Sequence, residues 1–210
     1  MRVLAVVAHP DDETLGCGGW LARLADEGNA VRVFLPLRRS DPRGVAHWDE
    51  LVESFLKACA ILDVEPVVAD PGMAEADADT DVRRLHSLVE PHVERADLVL
   101  THWHGDVHQV HRNITRAVEI ATRPFRRRRD VFLFEVPTST DQSFGPVFQP
   151  QLHVFLEQEH VQRKVAAMAC YRTEGAPGRE PFDLERRAEL RGAEVGVRYA
   201  EAFAVAREFR

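Results

Sequence analysis

Short apolar runs alternate with segments of helical periodicity through the first two thirds of the chain. Five short, mostly continuous apolar runs predict strands at residues 3–7, 31–35, 66–69, 98–101 and 131–135. Such runs are typical of parallel strands that helices cover on both faces. The alternation predicts βαβ units, and therefore an α/β fold with a Rossmann-like, mostly parallel sheet and helices on both faces.

Apolar side chains between these runs recur three to four residues apart, which predicts helices that pack on the sheet. The pattern is found at residues 15–28, 51–62, 81–94, 112–122 and 161–171, and a last long helix is predicted over 184–209. Turn-forming residues predict loops at 70–80 and at 175–181. The first loop follows a strand on the side where α/β folds bind ligands, so we expect it to border a site.

Length and composition predict one soluble domain over residues 1–210. A chain of 210 residues builds one core efficiently. No apolar run approaches the roughly 18 residues of a membrane helix, and the first run is too short for a signal peptide. The scattered cysteines Cys17, Cys59 and Cys170 suit a reducing compartment. We therefore expect a cytoplasmic protein with no membrane span.

The charge balance argues against a nucleic-acid partner. The formal net charge is -7, whereas nucleic-acid binding depends on clustered Lys and Arg that neutralise phosphates. A run of four arginines at 126–129 is the exception, and we interpret it as a solvated connection between a helix and a strand. A small molecule is the expected partner, and homo-oligomerisation is left open.

A histidine and two aspartates follow the first predicted strand, in the sequence AHPDDE at residues 8–13. The carboxyl ends of parallel strands border the crevice in which open α/β sheets bind ligands. Imidazole and carboxylate are zinc ligands, and of the adjacent Asp11 and Asp12 one could bind metal while the other serves as a base. Taken alone, a turn with Asp12 as N-cap of the next helix is an equal interpretation.

Four of the ten histidines follow the fourth predicted strand, namely His102, His104, His108 and His111. One structural histidine or a solvated loop does not readily account for four at the end of one strand. A second ligand-rich segment at another strand end makes a metal site the favoured interpretation. Spacing leaves the ligands open: His108 and His111 would share a helix face, and His104 with Asp106 could reach in from the loop.

These two motifs resemble those of the PIG-L or LmbE-like family of zinc-dependent N-deacetylases. The family pattern AHPDDE is complete here and is followed by GCGG at residues 16–19. The second family motif, H-x-D-x-H-x-D-H-R, is met by five residues: His104, Asp106, His108, His111 and Arg112. Residues 135–140, 191–192 and 199–203 resemble later family segments, so the likeness covers nearly the whole chain.

The resemblance implies a role for each residue of the site. His9, Asp12 and His111 would hold Zn²⁺, and Asp11 would be the general base that takes a proton from the attacking water. His108 would supply positive charge or a hydrogen bond where negative charge develops. The implied reaction removes the N-acetyl group of an N-acetylglucosamine-type amino sugar. Three residues are candidates for supporting the ligands or binding substrate: Asp106, His104 and Arg112.

Val110 departs from the family pattern, which commonly has aspartate immediately before the zinc histidine. Valine cannot hydrogen-bond, so His108 loses a group that would orient and polarise its ring, although Asp106 could compensate. An amidase for larger acyl groups or non-sugar amines is one alternative function. A zinc-containing binding or regulatory protein without turnover is another. Substrate choice would depend on the loops at 37–48, 70–80 and 138–149.

Overall fold

A computed structural model describes residues 1–174 and 179–210, apart from the side chains of residues 43, 181 and 182. The loop predicted at 175–181 therefore lies largely outside the described residues. Within them, strands are found at seven places: β1 (Arg2–Val6), β2 (Ala30–Arg38), β3 (Glu65–Ala74), β4 (Leu98–His102), β5 (Asp130–Phe134), β6 (Leu152–Phe155) and β7 (Ala200–Arg207).

The strands form one sheet in the order β3-β2-β1-β4-β5-β7-β6. The first five are parallel to one another, whereas β7 is antiparallel to both β5 and β6. The predicted α/β fold with a mostly parallel, Rossmann-like sheet is therefore confirmed. Because β1 and β4 are neighbours, the segments that follow them meet at the same edge of the sheet.

Helices cover both faces of this sheet, as predicted. Their bounds are α1 (Asp12–Asp26), α2 (Pro42–Ala46), α3 (Trp48–Leu62), α4 (Val82–Val93), α5 (Gln109–Ala121), α6 (Gln158–Met168) and α7 (Pro181–Ala193). Buried side chains of α1, α3, α6 and α7 form one apolar cluster, and those of α4 and α5 form another on the opposite face. None of the described helices is both long and apolar enough to cross a membrane.

The predicted final helix over 184–209 is wrong. The helix α7 ends at Ala193, and residues 200–207 form β7 between β5 and β6. In this strand, Phe203 pairs with Phe134 of β5, and its ring lies 4.6 Å from that of Trp20 in α1. Four alanines in the strand favour a helix locally, but backbone pairing on both sides and burial of Phe203 decide for a strand. The short strand β6 was not predicted.

The strand β3 is longer than predicted and includes the start of the loop expected at 70–80. Its pairing with β2 shifts in register between Leu35 and Leu37 and then resumes, with Met73 opposite Leu37 and Ala74 opposite Arg38. A short 3₁₀ helix, Glu75–Asp77, follows directly. The resumed pairing carries Glu75 to the carboxyl edge of the sheet, beside the segment that follows β1.

The arginine run connects α5 to β5, as the sequence predicted, and is held by contacts to the end of α4. Arg126 forms an ion pair with Glu90, and Arg127 forms one with Asp97. The guanidinium of Arg129 donates to the backbone carbonyl of Glu94 at 3.3 Å. Much of the charge of this run is therefore engaged within the protein.

Candidate active site

The AHPDDE motif and the histidine-rich motif meet where β1 and β4 end at the carboxyl edge of the sheet. Asp12 is the first residue of α1, so a single tight turn separates it from His9. His111 lies in the first turn of α5, after the loop that follows β4. The hydroxyl of Thr115 donates to the carbonyls of His102 and His111, at 2.9 and 3.0 Å, and joins the strand end to the helix.

His9, Asp12 and His111 form a compact, buried cluster of metal-ligating atoms. The His9 Nδ1 atom lies 3.4 Å from Asp12 Oδ2 and 3.3 Å from His111 Nε2, which is itself 3.5 Å from Asp12 Oδ1. One ligating atom of each residue lies within 4.8 Å of the other two. The three residues are 7%, 2% and 1% exposed. The prediction of a metal site is supported to this extent: the cluster could hold a metal ion.

The donor set fits a divalent metal ion. Two imidazole lone pairs and a carboxylate that face one another repel unless a proton or a cation lies between them. Two nitrogens and one oxygen are ligands that zinc accepts in catalytic sites, with further positions open for water and substrate. The outer nitrogens also face carboxylates: His9 Nε2 lies 3.4 Å from Glu75 Oε2, and His111 Nδ1 lies 3.3 Å from Asp106 Oδ1.

The charges of the cluster are strongly coupled. Burial acts to lower the pKa of His9, but hydrogen bonds with Asp12 and Glu75 raise it to about 9. Burial acts to raise the pKa of Asp12, yet His111, His102 and His9 together lower it well below its ordinary value. The Asp12 carboxylate thus stays ionised and attracts a cation. A metal ion would compete with protons for the same lone pairs.

Asp11 is held beside this cluster in an unusual backbone conformation. Its φ of 106° lies in the left-handed region that side chains other than glycine rarely adopt. Its N–H donates to Glu13 Oε2 at 3.2 Å, and Glu13 Oε1 accepts from the Tyr171 hydroxyl at 2.6 Å. Burial and the charge of Asp12 raise the pKa of Asp11, while Arg179, 3.4 Å from its Oδ2, acts to lower it.

A cavity of about 150 Å³ opens over the cluster. All eight residues that line it are polar or charged: His9, Asp11, Asp12, Arg39, His108, His111, Glu174 and Arg179. A larger cavity of about 450 Å³ lies between α3 and the edge strand β3. We assign the site to the smaller cavity because the metal-ligating cluster found among the described residues lies there, and chemistry outweighs size.

Asp106 supports the cluster from the loop after β4. Its carboxylate accepts from the backbone N–H of His108 at 2.7 Å and from the hydroxyls of Ser139 and Thr140. Burial acts to raise the pKa of Asp106, but its contact with His111 and these hydroxyl bonds lower it. Asp106 is therefore an ionised acceptor behind His111. Sequence reasoning gave no role to Ser139 or Thr140, although both lie in the family-like segment 135–140.

His108 lines the cavity, with its ring centroid 4.9 Å from that of His9 and 4.7 Å from that of His111. The residue as a whole is exposed, but desolvation of its ring by the neighbouring histidines, followed by the positive charge of His111 and His9, lowers the pKa of His108 to about 4. Its ring is then neutral at pH 7. Of the two roles expected for His108, this favours a hydrogen bond over a positive charge.

Three other residues of the second motif lie outside the cavity. His104 is exposed, and its ring packs 3.9 Å from that of Trp103, so the structure does not bring it to the cluster. Arg112 donates to the backbone carbonyls of Asp106 and Val107, which fixes the loop. Val110 is 8% exposed and packs in the apolar cluster of α4 and α5.

His102, and not His104, is buried beside the cluster. Its Nε2 accepts from the backbone N–H of Ala8 at 3.0 Å and lies 3.5 Å from Asp12 Oδ2. Its ring stacks on that of His111 at 4.1 Å. Burial lowers the pKa of His102 well below its ordinary value, so its ring is uncharged where it packs against the cluster.

Four charged residues of the site were not predicted: Arg39, Glu75, Glu174 and Arg179. Their loops follow β2, β3 and α6, and no motif marks them. The prediction that loop 70–80 borders the site is the only signal that could have pointed to Glu75. Arg39 lies in the loop at 37–48, which sequence reasoning connected with substrate choice without naming a residue.

A family model described as PIG-L: GlcNAc-PI de-N-acetylase matches residues 4–122, which include both motifs. The Escherichia coli (strain K12) protein named uncharacterized deacetylase YaiS is 27% identical over 176 residues, covering 81% of this chain and 90% of that protein.

Solved structures share the fold along the whole chain. The zinc inhibited form of teicoplanin deacetylase Orf2 is 17% identical, with a TM-score of 0.76 and 100% of both chains covered. GalB, the 4-carboxy-2-hydroxymuconate hydratase of Pseudomonas putida KT2440, is 21% identical, with a TM-score of 0.71, covering 100% of this chain and 97% of that one. At these identities the likeness shows the fold alone. Because a deacetylase and a hydratase share it, the fold does not decide the reaction.

Proposed function

Since the chain belongs to the PIG-L family of GlcNAc-PI de-N-acetylases, we propose that it is a zinc-dependent hydrolase that removes the N-acetyl group of an amino-sugar substrate. The observation that carries this proposal is the buried cluster of His9, Asp12 and His111 with the Asp11 carboxylate beside it. Metal ligands and a separate base are the two parts that metal-assisted amide hydrolysis requires.

His9, Asp12 and His111 would hold the ion. When bound, zinc supplies a Lewis acid that polarises an amide carbonyl and lowers the pKa of water. Asp11 takes the proton of the attacking water at Oδ1, since Arg179 contacts Oδ2. The same carboxyl then returns the proton to the amide nitrogen, which leaves only when protonated.

His108 stabilises the negative charge that develops on the carbonyl oxygen. With its pKa lowered to about 4, the ring is neutral at pH 7 and keeps one N–H, which can donate to that oxygen. A fixed donor of this kind stabilises an oxyanion without moving during the reaction. Arg179 holds Asp11 in place. Its own side chain is fixed by a second contact, because its Nε donates to Thr138 Oγ1 at 2.8 Å.

The cavity favours an acetyl group over a longer acyl group. Its volume of about 150 Å³ is small, and its described lining has no apolar side chain. A longer acyl chain needs an apolar wall to remove it from water. Charged side chains such as Arg39 and Glu174 at the cavity instead offer hydrogen bonds to hydroxyl groups. A hydroxyl-rich amino sugar fits these partners better than an aliphatic amide does.

The proposal is tested with the zinc-loaded full chain on N-acetylglucosamine, its glycosides and N,N'-diacetylchitobiose, with N-butyrylglucosamine as the longer acyl control. Acetate release should exceed butyrate release. Asp11→Asn should keep zinc and lose at least about a hundredfold in turnover, the usual size of general-base catalysis. His104→Ala is the matched control, and its turnover should equal that of the wild type.

Other outcomes would contradict the proposed substrate, the proposed reaction or the proposed base. Faster butyrate release would indicate an amidase for larger acyl groups. Zinc binding without acetate release from any of these substrates would indicate a binding or regulatory protein. Near-normal turnover of Asp11→Asn would remove Asp11 from the mechanism.

A further inference from the structure

The Glu75 carboxylate lies behind His9, on the side away from the metal-ligating atoms. Its Oε2 lies 3.4 Å from His9 Nε2, and the two side chains are 16% and 8% exposed. Both atoms are buried, and within the described residues neither meets the geometry of a hydrogen bond, their own 3.4 Å contact included. The nearest other charge to Glu75 Oε2 that the structure shows is Arg39 Nε, at 3.7 Å. Two buried polar atoms that face each other in this way either share a hydrogen bond or lower the stability of the folded state, because burial removes them from water.

The fold holds Glu75 in this position from both sides. Met73 and Ala78, which flank it in sequence, are fully buried in the apolar cluster under the sheet edge. The backbone N–H of Ala76 donates to Ser40 Oγ at 2.9 Å, which ties the segment to the loop after β2. Glu75 does not line the cavity. It therefore faces a metal ligand and not the space for a substrate.

An imidazole can give one nitrogen to a metal only if the proton sits on the other nitrogen. In His9, Nδ1 faces Asp12 and His111, so Nε2 must carry the proton. We propose that Glu75 is a positioning residue that accepts the His9 Nε2–H, fixing the tautomer and ring orientation in which Nδ1 binds the metal. This inference rests on the metal site of the proposed function.

The arrangement repeats at the other histidine of the cluster. Asp106 faces the outer nitrogen of His111 at 3.3 Å, as Glu75 faces that of His9. The two carboxylates come from the loops after β4 and β3, so each histidine has its own support. A carboxylate behind a metal-bound histidine contributes about 10- to 100-fold in metal affinity.

The test measures zinc affinity by competition with a chromophoric chelator at one pH, on the full chain. Glu75→Ala should bind zinc about 10- to 100-fold more weakly than the wild type. Glu75→Gln should lose less, because its amide oxygen still accepts the Nε2–H. The matched control is Asp41→Asn: Asp41 contacts Arg39 at 2.7 Å, and Arg39 also lies 3.7 Å from Glu75, but Asp41 does not touch His9. Its zinc affinity should stay near that of the wild type.

A ¹⁵N NMR spectrum of the zinc-loaded wild type gives an independent readout, since it separates a protonated nitrogen from a metal-bound one. We expect Nε2 of His9 to be protonated and Nδ1 to be bound. Metal bound at Nε2, or an affinity of Glu75→Ala equal to that of Asp41→Asn, would overturn the inference. If Glu75→Ala does not fold, Glu75→Gln and the wild-type spectrum decide. A wild type that binds no zinc would instead overturn the proposed function.

Discussion

The buried ion pair of Lys164 and Glu201 fixes the helix that begins at Asp12, and its removal should cost much of the stability of the protein. Lys164 Nζ lies 2.6 Å from Glu201 Oε1, and the side chains are 6% and 5% exposed. Glu201 also accepts from the backbone N–H groups of Gly19 and Trp20 in α1, at 2.9 and 2.7 Å. Residues of α6 and β7 thereby hold the backbone of α1.

Lys164→Met should lower the free energy of unfolding by about 3–5 kcal/mol, because it leaves the Glu201 carboxylate buried without a cation. Glu201→Gln should also destabilise the protein. One carboxylate oxygen becomes an NH₂ group, which is a donor and cannot accept from the backbone N–H that faces it. The double variant should lose less than the sum, with a coupling of about 1–3 kcal/mol. Against a total stability of about 5–15 kcal/mol, the single losses are large.

The assay is urea unfolding in buffer with a chelator, so that metal binding does not add to the stability of the native state. Lys57→Met is the matched control: Lys57 pairs with Glu53 at 2.6 Å, but these side chains are 62% and 65% exposed. Its loss should stay under about 1 kcal/mol. Equal losses for Lys164→Met and Lys57→Met, or additive single losses, would refute the reasoning.

Three further predictions address other contacts. Asp106→Asn should cost about 1–3 kcal/mol in urea unfolding and weaken zinc binding about 10-fold or more, because the amide cannot accept from every donor around it; unchanged values would dismiss this role. Val110→Asp should cost about 3 kcal/mol or more, since Val110 packs among apolar side chains, and Val110→Asn should cost less if the charge is responsible. The hydrogen bond from Arg2 lowers the pKa of Asp97 to about 2. Asp97→Asn should therefore destabilise slightly at pH 7, and this cost should fade as the pH drops from about 4 to 2, where wild-type Asp97 loses its charge; a cost independent of pH would contradict the ion pair.

The sequence was sufficient for the general placement of the site because parallel sheets impose it. Both motifs follow predicted strands, and the carboxyl ends of parallel strands share one edge. The meeting of His9, Asp12 and His111 in one cluster agrees with the residues that the family resemblance carried over. What the spacing left open was the choice among the histidines after β4, where His102 is buried under the cluster and His104 packs on Trp103.

The segment at 200–207 shows why local pattern failed at the end of the chain. Its alanines favour a helix, and its apolar residues are spaced closely enough to suit either structure. Pairing with β5 on one side and with β6 on the other makes it a strand. The strands that pair with residues 200–207 are far away in the sequence, so the local pattern of residues contains no information about them.

The sequence by itself determined the α/β class, the βαβ units of a mostly parallel sheet and the two motifs that carry metal-ligating chemistry, because each depends on residues near one another in the chain. The tertiary structure alone decided which carboxylates face His9 and His111 and which arginine contacts Asp11. Those contacts join loops such as 75–77 and Arg179 to residues far away in sequence. Burial then sets the charges of the site, and burial is a property of the packed molecule that no short segment encodes.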